Sequence, residues 1–494
     1  MSQTLPLRRL VDAEVALIGI ETYEEAAMLE LLREVSGEMH RPLFVWSASD
    51  GLARRDLNMD AFEGADDALA PAEALRRIRN HRAAAFYVLL DFHPFLENPE
   101  VVRLLKDIAL DRSVGHTVFL VSHALNMPAE LQRLTGYYEP PLPDARGLEA
   151  LVREEAARWS RANGNARVKT DNQTLATLVR NLSGLTASDA RTLIRAAIAD
   201  DGAITESDLT PLNKAKFDLL DMEGVLSFEH ETARFSDVGG QHGLKTWLKQ
   251  RAPVFHREAG TEGLDAPKGM LLVGVQGGGK SLAAKAVAGL FGVPLLRLDF
   301  GALYNKYHGE SERNLRQSLK LAQLMAPCVL WMDEIEKGVS TDNHDGGTSR
   351  RMLGSLLTWM AERDEPVFIV ATANEIELLP PELIRKGRLD EIFFVDLPDA
   401  ATRAEIFQIH LAKRGLEPAN FDLAALAART EGFAGAEIEQ VVVAGLYAAL
   451  AQRKPADMSI MLAECERTQP LSVVMAEPIS ALRAWAKGRT VPAA

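Results

Sequence analysis

Residues 268–299 read KGMLLVGVQGGGKSLAAKAVAGLFGVPLLRLD and decide the fold of this chain. The apolar run Met270–Val275 has the length of a buried parallel strand. A glycine-rich loop follows it, and a helix-favouring run begins at Leu282. Residues 274–281, GVQGGGKS, match the pattern G-x-x-x-x-G-K-[ST], which is typical of a phosphate-binding loop between a strand and a helix. A turn that merely contains several glycines is the alternative.

The residue types of this loop suit the binding of a nucleotide polyphosphate. Glycines lack Cβ, so their backbone N–H groups can close around phosphate oxygens, and the following helix places the positive end of its dipole there. Lys280 would reach the β- and γ-phosphates of ATP, and the Ser281 hydroxyl would join the Mg²⁺ shell. ATP and Mg²⁺ are therefore the predicted cofactors. The predicted nucleotide-binding residues of the loop are Gly277, Gly278, Gly279, Lys280, Ser281 and Leu282.

Two carboxylates follow an apolar run further along the chain. Cys328–Met332 predicts a buried strand, and Asp333 and Glu334 come directly after it. Because ligands bind at the carboxyl ends of parallel strands, both side chains should face the phosphate loop. We expect Asp333 to bind Mg²⁺ and Glu334 to polarise the attacking water, which Asn374 would hold from the far side. A solvated acidic pair after a core strand is the alternative.

Two arginines, Arg385 and Arg388, flank a glycine in the segment LIRKGRLDEIFFVDLPD. Arginine forks stabilise the charge on a transferring phosphoryl group and can be supplied by a neighbouring subunit. Without other evidence, two arginines near a glycine indicate only a solvated turn. The residues alone leave both interpretations open, and the catalytic role of the two arginines follows from the family resemblance given below.

Length, charge and cysteine content bound the class of protein. The chain has 494 residues, which predicts about two to four domains. A net charge of −14 disfavours nucleic acid and anionic membrane as partners. No apolar run approaches the ~18 residues of a membrane span, and Asp12 and Glu14 argue against a signal peptide. Cys328 and Cys465 form neither a disulfide framework nor a metal-ligand spacing, so we expect a cytoplasmic protein.

Short pieces of the first half of the chain recur in the second half, in the same order. Internal similarity of this kind indicates repetition of a structural unit. The sequence therefore predicts a tandem duplication of one unit, an α/β domain followed by a helical lid. An unrelated N-terminal α/β domain is the alternative. The matched pieces include ALIGI at 16–20 with LLVGV at 271–275, YVLLD at 87–91 with VLWMD at 329–333, and LPDA at both 142–145 and 397–400.

The first copy lacks the residues that bind phosphate. Glu25 stands near the position of Lys280, where a carboxylate would repel phosphate. Phe92 stands where the second copy has Glu334. We expect this copy to serve packing, assembly or partner binding rather than hydrolysis.

The motifs between roughly residue 230 and residue 450 resemble those of the AAA-type ATPases, in the classical branch of that superfamily. Besides the loop and the carboxylates, the resemblance rests on DVGG at 237–240, KYHGESE at 306–312 and RKGRLD at 385–390. It implies that Val238 and Gly240 lie near the adenine and His410 near the ribose or base. It further implies that Gly435 and Ala436 cap the nucleotide from the lid.

The resemblance also carries an assembly and a domain plan. It implies that Arg385 and Arg388 act on the nucleotide of the next subunit in a hexameric ring. The predicted fold class is α/β, with tandem AAA+-like units, each a parallel-sheet domain followed by a helical lid. The predicted domains are a degenerate α/β domain at 1–146, its lid at 147–222, an ATP-binding α/β domain at 223–396 and a C-terminal lid at 397–494.

Over the whole chain the sequence is similar to the plastid and cyanobacterial family called hypothetical chloroplast reading frame forty-six. IGIET near the N-terminus, GVQGGGKSL and TQPLSVVMAEPISALRAW near the C-terminus carry this narrower resemblance. Two features depart from the usual AAA pattern. Gln276 and Gly278 replace a proline and a threonine, and MAE at 360–362 replaces an Asp-Gly-Phe intersubunit motif.

The resemblance places Tyr307 and His308 at a central pore. An aromatic side chain offers a large contact surface at low entropic cost, which suits gripping an extended polypeptide. The leading prediction is therefore an ATPase ring that remodels or threads a protein substrate. A regulatory or scaffold ATPase whose nucleotide state switches partner binding is the alternative, with Tyr307 packed within its own loop. A nucleic-acid motor is disfavoured by the acidic balance.

Overall fold

The computed structural model describes residues 4–55, 70–220, 226–230, 235–258, 260–304, 310–339, 348–385 and 387–494. The chain forms two compact units, Met1–Pro143 and Asp144–Ala494. Among the helices in these ranges, none combines the length and apolarity needed to cross a membrane.

The first unit is a parallel α/β sheet. Its strands lie in the order β3-β2-β4-β5-β1-β6, and all neighbours are parallel except the pair β2 and β3. The strands are β1 Leu17–Glu21, β2 Leu43–Ser47, β3 Gly51–Arg54, β4 Phe86–Leu90, β5 Thr117–Ser122 and β6 Thr135–Tyr137. The helices are α1 Thr4–Asp12, α2 Glu25–Met39, α3 Pro71–Asn80, α4 Pro99–Leu110 and α5 Ala129–Gln132.

Helices cover both faces of this sheet, which is why its central strands are apolar throughout. Every residue of β4 and β5 is buried. Within β4, Leu89 packs with Ile78 of α3 and Leu105 of α4. Its neighbour Val88 points the other way and packs with Leu32 of α2, because successive side chains of a strand alternate between faces.

The second unit begins with a helical bundle. Leu148, Leu178 and Ile194, from three different helices, share one buried apolar cluster. The side-chain carboxylate of Asp144 caps the first of these helices by accepting from the Gly147 N–H at 2.8 Å. The helices of the bundle are α6 Ala145–Ala162, α7 Asn172–Asn181, α8 Ala187–Ala199 and α9 Glu206–Leu219.

A second sheet follows, in the order β13-β12-β8-β11-β10-β9-β7. Its strands are β7 Leu226–Glu229, β8 Gly269–Gly274, β9 Leu295–Leu298, β10 Cys328–Met332, β11 Val367–Ala373, β12 Glu391–Val395 and β13 Val491–Pro492. The helices around it are α10 His242–Phe255, α11 Lys280–Phe291, α12 Phe300–Tyr304, α13 Glu310–Leu324, α14 Ile335–Val339, α15 Thr348–Glu362 and α16 Pro381–Ile384. The lid helices are α17 Ala400–Lys413, α18 Leu423–Arg429, α19 Gly435–Ala451, α20 Met458–Arg467, α21 Leu471–Val474 and α22 Ala476–Ala486.

The two sheets share one strand order. The run β2-β4-β5-β1-β6 inside the edge strand β3 corresponds to β9-β10-β11-β8-β12 inside the edge strand β7, and each set is parallel. The predicted α/β class with tandem AAA+-like units is confirmed. The two copies differ at the first loop, because residues 22–24 join β1 to α2 whereas residues 275–279 join β8 to α11. Three residues are too few to wrap a polyphosphate, which explains the degenerate first copy.

The C-terminal segment contains an element that the sequence pattern did not predict. Phe393 of β12 pairs with Val491, so the chain end returns from the lid to extend the second sheet in parallel. The Leu244 N–H also donates to Ala493 O at 3.1 Å. A two-residue strand is too short to produce a hydrophobic period, so only the folded structure reveals it.

Candidate nucleotide site

The glycine-rich loop between β8 and α11 has a backbone that requires glycine at defined positions. Gly277 and Gly279 have φ of 76° and 92°, in the region that side chains rarely adopt. A Cβ on Gly274, whose φ is 152°, would lie 2.0 Å from the carbonyl oxygen of Val395 on the neighbouring strand. The Val275 N–H donates to Val395 O at 3.1 Å, so the loop is held against β12, and residues 276–282 line a cavity at the start of α11.

Lys280 is buried in this concavity with 7% of its surface exposed. Its Nζ donates to the carbonyl oxygens of Gly274 at 2.8 Å and Val275 at 3.0 Å. Burial lowers the pKa of this ammonium to about 8, although the carboxylates of Glu336, Asp333 and Glu334 favour its charged form. A buried cation that makes no direct ion pair with these carboxylates is well placed to receive an anionic ligand.

The two carboxylates follow β10 and are oriented by β11. The Thr372 hydroxyl donates to Asp333 Oδ1 at 2.6 Å and accepts from the Glu334 N–H at 3.0 Å. Glu334 itself has a φ of 48°, in a region that residues other than glycine rarely adopt, and it lines the same cavity as the loop. Asp333 Oδ2 receives a second contact from Arg297 at 3.4 Å. Thr372 was not predicted, although a hydroxyl in an otherwise apolar run offers the signal.

The Asn374 side chain and Glu334 form the polar end of the site. Asn374 Nδ2 donates to Glu334 Oε1 at 3.1 Å, while Lys337 contacts the other carboxylate oxygen. The Asn374 N–H donates to Glu336 Oε1 at 3.0 Å. Glu336 is only 3% exposed, and burial raises its pKa. This third carboxylate was not predicted, because a residue two positions after the pair looks like part of an ordinary helix surface.

A cavity of about 400 Å³ joins these groups to the lid. The Ala436 N–H at the start of α19 donates to Gly277 O at 3.3 Å, which holds the lid against the loop. The predicted residues that line the cavity are Val238, Gly277, Gly278, Gly279, Lys280, Ser281, Leu282, Asp333, Glu334, Asn374, His410, Gly435 and Ala436. The lining residues that were not predicted are Asp237, Gly239, Gln241, Gln276, Thr372, Ile406, Ile409 and Glu439.

His410 lies on the lid side of the cavity within a charged group. Its Nδ1 is 3.6 Å from Glu439 Oε1, and Arg414 donates to the same oxygen at 2.8 Å. Burial lowers the pKa of His410, so the ring favours its neutral form. The hydrogen bond from Arg414 lowers the pKa of Glu439. Neutral imidazole suits hydrogen bonding to a ribose or base.

Some predicted residues do not line this cavity. The Gly240 N–H donates to Glu405 Oε2 at 2.8 Å, and the residue packs against α17. Arg385 is exposed, and Arg388 donates to the carbonyl oxygen of Glu382. Neither arginine is among the residues that line the cavity of its own chain. Tyr307 and His308 lie outside the described residues.

Family models match three segments of the chain. Residues 270–397 match the ATPase family associated with various cellular activities, AAA. Residues 2–139 match the N-terminal domain of SpoVK-like AAA ATPases, and residues 146–223 match the second domain of that group. The AAA domain-containing protein ycf46 of Guillardia theta is 34% identical over 493 residues, covering 98% of this chain and 95% of the relative.

The chain belongs to the AAA ATPase family. It is therefore a nucleotide-binding ATPase. The ycf46 protein of Pyropia yezoensis is 32% identical over 98% of both chains. The proteasome-activating nucleotidase of Aeropyrum pernix is 32% identical over 371 residues, which cover 71% of this chain and 82% of that relative.

The residues of this AAA site fit a magnesium nucleotide. The glycine backbone and the buried Lys280 ammonium offer donors and positive charge to a polyphosphate. The Gln241 amide oxygen is buried, lines the cavity and lacks a hydrogen bond among the described residues, so a polar ligand could satisfy it. The Ser281 hydroxyl and the Asp333 carboxylate are oxygen donors of the kind Mg²⁺ prefers.

Proposed function

We propose that the second unit hydrolyses Mg²⁺-ATP at the cavity between the glycine-rich loop and the lid. The observation that carries this proposal is that Lys280 and Glu334 line the same cavity. Asn374 Nδ2 donates to the Glu334 carboxylate at 3.1 Å and thereby orients it. A cation for phosphate and an oriented carboxylate for water in one cavity are the two requirements of phosphoryl transfer to water. The Ser281 hydroxyl and Asp333 would hold Mg²⁺.

Each side chain has a separate task in this reaction. Lys280 binds the β- and γ-phosphates and stabilises charge on the transferring group. Glu334 accepts a proton from the attacking water. The water oxygen then bonds to the γ-phosphorus, while the bond between the γ-phosphorus and the oxygen that bridges it to the β-phosphate breaks. The products are ADP and inorganic phosphate. Bound Mg²⁺ supplies further charge neutralisation. Asn374 fixes the rotamer of Glu334 and hence the position of the water.

Two substitutions test these roles. Lys280→Ala should bind ATP much more weakly and lose hydrolysis, since the phosphates lose their buried cation. Glu334→Gln should keep ATP binding and lower kcat by about 10²–10⁴-fold, because an amide cannot accept the proton. The exposed Glu417→Gln is the matched control and should hydrolyse ATP at the wild-type rate. Hydrolysis by Lys280→Ala at the wild-type rate would show that the site is elsewhere.

The arginines support a proposal about assembly. Arg385 is exposed and both Arg385 and Arg388 lie outside the lining of the cavity of their own chain, so a neighbouring subunit's nucleotide is the ligand they suit. A closed hexameric ring supplies such a contact to every subunit. Light scattering on the Glu334→Gln protein should show a ring-sized species with Mg²⁺-ATP. A monomer with and without nucleotide at high protein concentration contradicts the ring.

Subunit mixing tests the trans arrangement directly. Arg388→Ala alone should lower kcat by about 10³–10⁵-fold if it acts as an arginine finger. Adding inactive Lys280→Ala subunits, which retain Arg388, should restore part of the activity, because they complete the intact nucleotide sites of their neighbours. The exposed Arg351→Ala serves as the control and should behave as wild type. If no activity is restored, Arg388 acts on the nucleotide of its own subunit or only stabilises the fold.

For the substrate we propose a polypeptide in a thiol-reducing compartment such as the cytoplasm. Similarity to the proteasome-activating nucleotidase over 71% of this chain supports work on proteins, and buried free thiols at Cys328 and Cys465 suit that compartment. Tyr307→Ala should lose substrate remodelling while ATPase activity stays, if Tyr307 grips the chain. An ATP-switched scaffold would be insensitive to that substitution. Salt-sensitive binding of DNA or RNA would instead favour a nucleic-acid motor.

A further inference from the structure

The first unit has its own cluster of metal-binding side chains. Asp91 follows β4 directly, His93 lies two residues further on, and His123 follows β5 directly. One ligand atom from each of the three residues can be chosen so that all lie within 4.8 Å of one another. β4 and β5 are parallel neighbours, so the cluster sits at the carboxyl edge of the sheet, where α/β proteins bind ligands.

We propose that this cluster binds one divalent transition-metal ion, with Zn²⁺ the reference case. Two imidazoles and one carboxylate form the ligand set that such ions favour, whereas Mg²⁺ prefers oxygen ligands alone. A tetrahedral ion with bonds of about 2.0–2.1 Å needs ligand atoms about 3.4 Å apart. The ligand atoms therefore have to approach one another by up to about 1.4 Å, which rotation of partly exposed side chains allows.

A buried hydroxyl prepares one of the ligands. His93 Nδ1 lies 3.3 Å from the Oγ of Ser122, whose residue is only 2% exposed. With the ring proton on Nδ1, this nitrogen donates to Ser122 and leaves the lone pair of Nε2 for a metal. Histidine ligands in metal sites characteristically donate their other ring nitrogen to such an oxygen, which fixes the tautomer and the ring orientation.

The other two ligands are also held in place. The Asp91 N–H donates to Val121 O at 3.0 Å, which fixes the backbone where its carboxylate emerges. The His123 ring lies edge-on to His93 with centroids 4.7 Å apart, and the Tyr23 ring stacks on it at 5.8 Å. Three protein ligands at an exposed edge leave at least one coordination position for water or for an anionic group of a partner.

The site lies in the copy that lacks a phosphate loop. In the second unit the carboxyl edge of the sheet would bind Mg²⁺-nucleotide. In the first unit the same edge carries histidine nitrogens that can bind a metal. The two edges differ in chemistry because His93 and His123 are supplied here, while the loop of residues 22–24 is too short for phosphate. This assignment is independent of the ATPase site, so the two can fail separately.

Titration of the chelator-treated full-length protein with Co²⁺, without nucleotide, tests the proposal. We expect a visible d–d absorption band that saturates at one ion per chain and is displaced by Zn²⁺. His93→Gln or His123→Gln should weaken binding by more than about 100-fold, and Ser122→Ala by about 10- to 100-fold, as for outer-sphere partners. His230→Gln removes an exposed histidine of the second unit and should bind as wild type.

Two further results would overturn the assignment. Co²⁺ binding at one equivalent that survives the double His93→Gln/His123→Gln substitution would place the ion at other ligands. Loss of the band in Asp333→Asn would place it at the nucleotide site. Absence of saturable Co²⁺ and Zn²⁺ binding by the wild-type chain also refutes the proposal.

Discussion

Raising the pH above about 8 should weaken nucleotide binding, because the buried Lys280 then loses its proton before the nucleotide arrives. Its pKa is lowered from 10.5 to about 8 by burial in the nucleotide-free chain. A bound polyphosphate stabilises the ammonium and returns the pKa towards its ordinary value. Below pH 8 the lysine is charged in both states. Above pH 8 binding requires uptake of a proton, so affinity should fall about tenfold per pH unit.

The full effect follows from the size of the pKa change. A return of about 2.5 units corresponds to about 3.4 kcal/mol, or about 300-fold in Kd, between pH 8 and pH 10.5. At pH 9.5 the expected loss is about 30-fold relative to the affinity well below pH 8. The nucleotide does not contribute to this slope, because its last phosphate ionisation, with a pKa of about 6, is complete there.

Isothermal titration calorimetry with ADP and Mg²⁺ at pH 7 to 9.5 measures this dependence. Repeating the pH 9 titration in buffers of different ionisation enthalpy counts the protons taken up, which should approach one. Lys249→Gln removes an exposed lysine and should keep the slope. Lys280→Gln should show weak binding that is flat with pH. A flat wild-type profile, or a slope that persists in Lys280→Gln, would refute the reasoning.

Three further predictions concern packing and orientation. Gly274→Ala should lower the denaturation midpoint by several degrees, because its Cβ would clash with the Val395 carbonyl oxygen of β12. Gly354→Ala, which has open space in α15, should instead stabilise the protein by about 0.5–1 kcal/mol. Equal denaturation midpoints for Gly274→Ala and wild type would contradict the first expectation. Thr372→Val should lower kcat by about 10- to 100-fold with little change in KM, since Asp333 loses its orienting hydroxyl. An unchanged kcat would show that the hydroxyl is dispensable. Lys216 is 1% exposed, and burial lowers its pKa to about 8. Between pH 8 and 10.5 the unfolded chain therefore binds more protons than the folded chain, so the free energy of unfolding should rise with pH. Over this range the rise should be up to about 3 kcal/mol larger in wild type than in Lys216→Met, as measured by urea denaturation.

Local sequence was sufficient wherever one short segment contains both the backbone requirement and the chemical group. The loop at residues 274–281 combines glycines, the lysine and the hydroxyl in eight consecutive positions, so its strand–loop–helix setting could be predicted. The same holds for Asp333 and Glu334, because an apolar run ending in two carboxylates places them at a strand end. The parallel strands could also be predicted from apolar runs, because helices cover both faces of a parallel sheet and its strands are apolar throughout.

Residues that act through another element could not be predicted in this way. The Thr372 hydroxyl binds the carboxylate of Asp333 and the backbone N–H of Glu334, 39 and 38 positions earlier in the chain, and it reaches them only because β10 and β11 are neighbours. Glu439 reaches His410 through the packing of α19 on α17. His93 and His123 meet only because β4 pairs with β5.

The sequence by itself determined the α/β class, the phosphate loop, the acidic strand end and the tandem plan, because each depends on neighbours along the chain. Tertiary structure alone decided the lowered pKa of Lys280, the second sheet's C-terminal strand and the histidine cluster. Burial and strand pairing act between residues far apart in sequence, and no local pattern encodes the distance between them.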